Sequence, residues 1–214
     1  MSVKKNLEKI LKDTQNYNPT IIAVTKYYGI NKMIEAFDAG LRNFGESKAL
    51  EAVEKINKID DTTMSQSIYH FIGHLQTNKV KYVVGNFDYI HSVDSLKLAQ
   101  CINNEANKKG IKQKILIQVN NAHELQKFGV DPCELENLIN EVKAMDSIEL
   151  TGLMNIAPLS DDEQLLQKLF SQMRELKEKF KLKELSMGMS KDYKIALKNG
   201  ATMIRLGKIL FEDN

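Results

Sequence analysis

Ile21-Ile22-Ala23-Val24-Thr25-Lys26 puts four consecutive apolar residues ahead of a threonine and a lysine. Such a run, with two Ile and a Val in it, suits a strand covered on both faces, as in a parallel sheet. A lysine at the carboxyl end of that strand has little water around it. Desolvation disfavours the ammonium, lowers its pKa and enlarges the fraction of free amine that attacks carbonyls. The plain alternative is a strand-end cation reaching into solvent, and among 30 Lys and Arg it carries real weight.

Outward from this stretch, strand and helix signals alternate. Residues 2 to 16 bring Val3, Leu7, Ile10 and Leu11 to one face at helical spacing, which predicts an opening amphipathic helix. After Lys26, Gly29 turns the chain and Asn31 is placed to cap a helix with Ile34, Phe37 and Ala39 inward, ended by Gly40. Short apolar segments then predict strands at Leu41 to Gly45, Tyr69 to Gly73, Asp88 to Val93, Lys114 to Val119, within Ile148 to Ile156, at Leu185 to Gly188 and at Ala201 to Leu206. Helices are predicted between them: 48 to 58, Leu75 to Val84, and one opened by Asp94 or Ser95 and running to Lys109. A further helix is capped by Asp131 and carries Leu135, Leu138, Ile139 and Val142. Ser160-Asp161-Asp162-Glu163 reads as a capping box for a helix with Leu166, Leu169, Phe170, Met173 and Leu176 on its stripe, and Asp192 opens the last, ending at Gly200. One early helix and eight strand-helix alternations without a Pro/Gly-rich linker predict a single (β/α)8 TIM barrel over residues 1–214 with an extra N-terminal helix.

Composition narrows the partners. A formal net charge of +2, from 30 basic and 28 acidic residues, supplies no field to gather nucleic acid or an anionic membrane. No run approaches about 18 unbroken apolar residues and the first residues carry no secretion signal, so the cytoplasm is expected. Cys101 and Cys133 have neither CxxC spacing nor a histidine pair beside them, which predicts reduced thiols and no metal site.

A barrel opens the carboxyl ends of all its strands on one face. Polar residues gather there: Lys26, Glu46, Ser47, His74, Gln76, Asn78, Asn155 with Met154, then Ser186 to Ser190, then Arg205, Gly207 and Lys208. The glycine turns after strands seven and eight are placed where barrels commonly bind phosphate through backbone amides, although a glycine after a strand is more often a plain turn. His70 and His91 read as packed core residues and His123 as a loop residue. His74 alone falls on the rim, where it contacts a cofactor or holds a loop. There is no Gly-x-Ser-x-Gly elbow and no His-Glu-x-x-His.

Ala23-Val24-Thr25-Lys26, Phe44-Gly45-Glu46, His70-Phe71-Ile72-Gly73-His74-Leu75-Gln76 with Asn78-Lys79, Gly152-Leu153-Met154, Leu185 to Ser190 with Asp192-Tyr193, and Gly200-Ala201-Thr202 with Arg205-Leu206-Gly207 occur in this order. Through them the chain resembles the pyridoxal 5'-phosphate (PLP) homeostasis proteins, which share the barrel of the amino-terminal part of bacterial alanine racemase. The resemblance implies a Schiff base between PLP and Lys26, a phosphate held by the Ser190 hydroxyl and backbone amides around Gly207 and Lys208, and Arg205 beside the pyridine nitrogen. Met189, Met154, His74 and Ser47 are carried over as further cofactor-binding candidates. Two positions depart from the family pattern: Ser47 replaces Asn, and Lys208 replaces Ser or Thr, exchanging a hydroxyl for a charge.

By the same resemblance the expected role is a carrier in vitamin B6 homeostasis that hands PLP to enzymes requiring it, as a monomer or weak dimer, with no catalytic residue. Racemases add a β-domain bearing a tyrosine acid/base, and this chain ends at Asn214; two-base racemisation then lacks its second base. A weak racemase using Tyr27, Tyr28 or Tyr193 is the second reading. A barrel for another phosphorylated metabolite, with Lys26 as counter-charge, is the third.

Overall fold

Strand β1 (Thr20–Val24) buries Ile21, Ile22 and Ala23, as its unbroken apolar run requires of a strand covered on both faces. In the computed structural model, which describes residues 2–124 and 126–212, seven further strands follow: β2 (Asn43–Glu46), β3 (Ile68–Phe71), β4 (Tyr89–Val93), β5 (Gln113–Gln118), β6 (Ile148–Met154), β7 (Glu184–Ser186) and β8 (Met203–Leu206). Each is parallel to its neighbours, and β8 returns to β1, so the sheet closes into an eight-stranded barrel. The expected fold is therefore present. The outer limits expected for the domain, Met1 and Asn214, lie outside the described residues.

Helices cover the barrel: α1 (Val3–Thr14), α2 (Ile30–Asp38), α3 (Ala49–Ile56), α4 (Asp61–Ser65), α5 (Val80–Val83), α6 (Leu96–Lys108), α7 (Leu135–Lys143), α8 (Glu163–Lys179), α9 (Tyr193–Lys198) and α10 (Lys208–Phe211). The helix after β8 has only four residues. The N-terminal α1 packs against α2, α9 and α10 and inserts Val3, Leu7 and Ile10 into the main core. It thus stands in the ring where a longer eighth helix would. Burying each such side chain contributes about 1.5–3 kcal/mol.

The local expectations fail where one side chain outbids another for a backbone group. The N-cap of α8 is Asp162, whose carboxylate accepts from the Gln164 and Leu165 amides, while Ser160 only accepts from Asp162 N. Asp131 accepts from Cys133 N and leaves the cap of α7 to Glu134. The N-cap of α2 is Gly29, and its buried face is Met33 and Ala36, one residue out of phase with the sequence expectation. Leu11 of α1 is half exposed. Residues 75–84 form no single helix, because Thr77 and Asn78 favour a 3-10 turn (Thr77–Lys79) before α5. Ser95 does cap α6, accepting from Leu98 N. No helix of the described residues is long and apolar enough to cross a membrane.

Candidate functional site

Alternation along the strands decides what faces the barrel axis. The β1–β8 register pairs Ile22 with Arg205 and Ala23 with Leu206. Ile22, Leu116, Met154 and Met203 pack together as a small inner apolar layer. Two residues above Ile22 is Val24, and two above that is Lys26. Two above Met203 is Arg205. The inward parity of β8 delivers the guanidinium to one end of the barrel, and the turn after Val24 brings the amine there.

They line one cavity of about 490 Å³ at the mouth, with Met189, Ser190, Gly207 and Lys208 on its wall. That volume lies in the range of small-molecule sites. Val24, Tyr27, Tyr28, Ile72, Ile156 and Glu212 complete the lining; only Tyr27 and Tyr28 among these were singled out by sequence. Lys26 itself lies on the turn beyond β1 and is partly buried rather than enclosed, its Nζ 4.9 Å from the Tyr27 ring centroid. The wall after β7, two strands round the barrel from β1, depends on Gly188, whose φ of +91° turns the chain toward α9. A Cβ there would stand 2.6 Å from that of Ala196, so only glycine permits the close approach. The turn then presents Met189 and Ser190, and Ser190 Oγ accepts from Ile209 N at 3.5 Å, joining this wall to the start of α10.

Arg205 is buried, yet among the described residues no carboxylate is hydrogen-bonded to it. Its NH1 donates to Ser186 Oγ and its NH2 to the Asn155 carbonyl, both at 2.7 Å. Burial pushes the guanidinium down to about 10, partly offset by the charge of Asp192, so it stays a cation at neutral pH. Behind it a polar chain crosses the barrel interior: Ser186 Oγ to His91 Nδ1 at 3.0 Å, His91 Nε2 to His70 Nδ1 at 2.9 Å, and His70 Nε2 to Asn43 Oδ1 at 2.9 Å. A guanidinium can only donate. Ser186 therefore accepts from it and donates onward, which makes both imidazoles neutral with their protons on Nε2. Barrel interiors are usually filled by branched aliphatic residues; here β2, β3, β4 and β7 each contribute a polar member to the chain that ends on the β8 cation at the mouth.

This chain sets a pH dependence. Burial pushes His70 down to about 3, and burial, with His70 and Arg205 nearby, lowers His91 well below its ordinary value. Below pH 6.5 the unfolded histidines bind protons that the native ones refuse, so stability falls as pH falls toward the native values. At pH 5, about 1.5 units below the unfolded value, His70 alone lowers stability by about 2 kcal/mol, and His91 acts in the same direction. Asp192, raised by its burial, acts in the opposite sense. Urea unfolding at pH 7 and pH 5 measures the effect; equal stability at the two values would contradict neutral buried imidazoles.

The backbone that carries Lys26 is clamped from behind. Thr25 donates its amide to Gly45 O and its hydroxyl to Glu46 Oε1, at 3.0 and 2.7 Å. Lys55 Nζ meets the same carboxylate oxygen and also donates to the Thr25 carbonyl at 2.9 Å. Lys55 and Glu46 are nine residues apart, a spacing with no helical or strand meaning across a loop, and nothing in the sequence marked the pair.

The remaining candidates lie elsewhere. Ser47 and His74 line a separate cavity of about 400 Å³ beside β2 and β3. There His74 stacks on Phe128, with ring centroids 3.6 Å apart, and faces Asp94 at 3.7 Å. Met154 is buried in the inner apolar layer beneath the mouth.

A family model described as alanine racemase, N-terminal domain, matches residues 1–214. A pyridoxal phosphate homeostasis protein of Aquifex aeolicus (strain VF5) is 37% identical over 185 residues, covering 84% of this chain and 80% of that protein. One of the same name from Synechocystis sp. is 38% identical over 199 residues, covering 90% of each. Among solved structures, PipY of Synechococcus elongatus PCC7942 with PLP bound superposes with a TM-score of 0.88 at 36% identity, covering 98% of this chain and 99% of that one.

Proposed function

We propose, from the premise that the chain belongs to the alanine racemase N-terminal domain family and within it to the pyridoxal phosphate homeostasis proteins, that residues 1–214 act as one PLP-binding domain. The observation that carries the reading is one 490 Å³ cavity lined by an amine, a buried guanidinium, a serine hydroxyl and a glycine turn. These groups fit the ligand's chemistry. PLP offers an aldehyde that condenses with a lysine amine with loss of one water, an anionic phosphate ester and a basic ring nitrogen.

In this reading Lys26 supplies the amine and holds PLP as a Schiff base. Ser190, Gly207 and Lys208 face the phosphate, and the Lys208 ammonium answers its charge. Arg205, whose hydrogen-bond partners among the described residues are neutral, would keep its positive charge for the ring nitrogen and leave that nitrogen unprotonated, which limits the ring as an electron sink. Met189 packs on the wall between them. Ser47, His74 and Met154 act at one remove, through the neighbouring cavity and the layer below.

The role is custody of PLP in the cytoplasm and its delivery to enzymes that require it, by a monomer or weak dimer. Tyr28, one of the two tyrosines lining the cavity, donates its hydroxyl to Glu212 at 3.0 Å and is pushed up in pKa by burial. Titration of the purified protein with PLP tests the reading. A new band near the visible edge of the ultraviolet, saturating at one equivalent and without loss of optical rotation from L-alanine, is expected. No band overturns it in favour of another phosphorylated ligand, and racemisation overturns the carrier role.

A further inference from the structure

α1 belongs to none of the strand-helix units, yet it touches both helices that border the phosphate-facing wall. We infer that α1 is a brace for that wall, with Asn6 and Asp13 as positioning residues; the inference rests on the reading of the cavity given above. Asn6 is buried, and its Nδ2 donates to the Leu210 and Glu212 carbonyls at 3.1 and 3.2 Å, 204 and 206 residues away. Leu210 lies in the last turn of α10 and Glu212 is its C-cap, and the first residue of that helix, Lys208, lines the cavity next to Gly207.

Asp13 holds the other helix. Its Oδ2 accepts from the Tyr193 hydroxyl at 2.7 Å and from Lys194 Nζ at 2.8 Å, at the first two positions of α9. Tyr193 N in turn donates to Met189 O at 2.9 Å, directly beside Ser190. Asn6 and Asp13 are seven residues apart, two turns along one face of α1.

Two physical points favour a positioning role over simple packing. α10 has four residues and α9 six, too short to hold their own geometry, because one helical turn fixes several residues for a single hydrogen bond. The carbonyls of Leu210, in the last turn of α10, and of Glu212, just past it, have no partner within that short helix, and Asn6 supplies one to both. Meanwhile the buried face of α1 is otherwise mainly Val3, Leu7 and Ile10. An aliphatic residue at position 6 would pack there without the desolvation cost of a buried amide. The amide is placed where two carbonyls of the cavity wall need it.

The test compares PLP with pyridoxal, which has the same aldehyde and ring but no phosphate, by spectrophotometric titration of the whole chain. Asn6→Leu is expected to weaken PLP binding about tenfold while pyridoxal binding stays within about twofold. Tyr193→Phe, which keeps the ring and loses only the hydroxyl held by Asp13, is expected to shift PLP alone by about threefold, and it decides the matter if Asn6→Leu does not yield folded protein. Equal losses for the two aldehydes, or unchanged PLP affinity in both variants, overturn the brace. A wild-type chain that binds PLP no better than pyridoxal overturns the phosphate reading beneath it.

Discussion

Lys26→Ala is expected to abolish the PLP-dependent absorbance band while leaving the fold intact. Two amines line the cavity, Lys26 and Lys208. Lys26 follows β1, two strands round the barrel from the β7–α9 turn that presents Ser190. Lys208 opens α10 on the same wall as Ser190, because Ser190 Oγ accepts from the neighbouring Ile209 amide. With the phosphate on the Ser190 wall, the amine that condenses with the aldehyde is expected to be the one off that wall, Lys26. Lys208→Ala is therefore expected to keep the band and weaken PLP retention. Lys26 is partly exposed and makes no ion pair among those described, so removing it should change stability by no more than about 0.5 kcal/mol. Residual binding through Arg205 and Ser190 is expected to be at least about tenfold weaker, since the covalent link is gone. A band that survives in Lys26→Ala and vanishes in Lys208→Ala would reverse the assignment.

Lys55→Met is expected to cost about 3–5 kcal/mol, the usual loss when one partner of a buried ion pair is removed. The side chains of Lys55 and Glu46 are 15% and 4% exposed, with Nζ and Oε1 2.5 Å apart. Methionine keeps most of the stem volume, so the loss reports the stranded carboxylate rather than a cavity. It also frees the Thr25 carbonyl, one peptide bond from Lys26. Adding Glu46→Gln removes the stranded charge, and the double variant is expected to recover most of the stability. PLP affinity should stay reduced in both variants, because the Thr25 carbonyl still lacks Lys55. Urea unfolding and PLP titration on the single and double variants separate the two effects. If Lys55→Met unfolds at the wild-type midpoint, the pair holds nothing.

The barrel was legible because eight apolar runs, each suited to burial on both faces and alternating with helices, match the strand count of a closed (β/α)8 ring rather than an open doubly wound sheet. Lys26, Ser190, Arg205 and Gly207 were legible for the same reason: a strand-end position in such a ring is a position at the mouth. The short helices α4 and α10 were not, since four or five residues carry no period. Nor was the interior polar chain, although His70 and His91 were read as core residues. Its members come from five strands, and only the register aligns Asn43, His70, His91, Ser186 and Arg205 along one line. The brace was further from view, because Asn6 finds its acceptors more than 200 residues away. Sequence also set Lys26 in fuller burial than the turn after Val24 allows, because the strand ends with the apolar run at Val24, two residues before the lysine expected at its end.

Borohydride reduction of the PLP-loaded protein, followed by peptide mapping, most directly tests the claim that one amine at the barrel mouth holds the cofactor. A single pyridoxyl adduct at Lys26, in one equivalent, is the expected result. An adduct confined to Lys208, one spread over surface lysines, or none at all would contradict it.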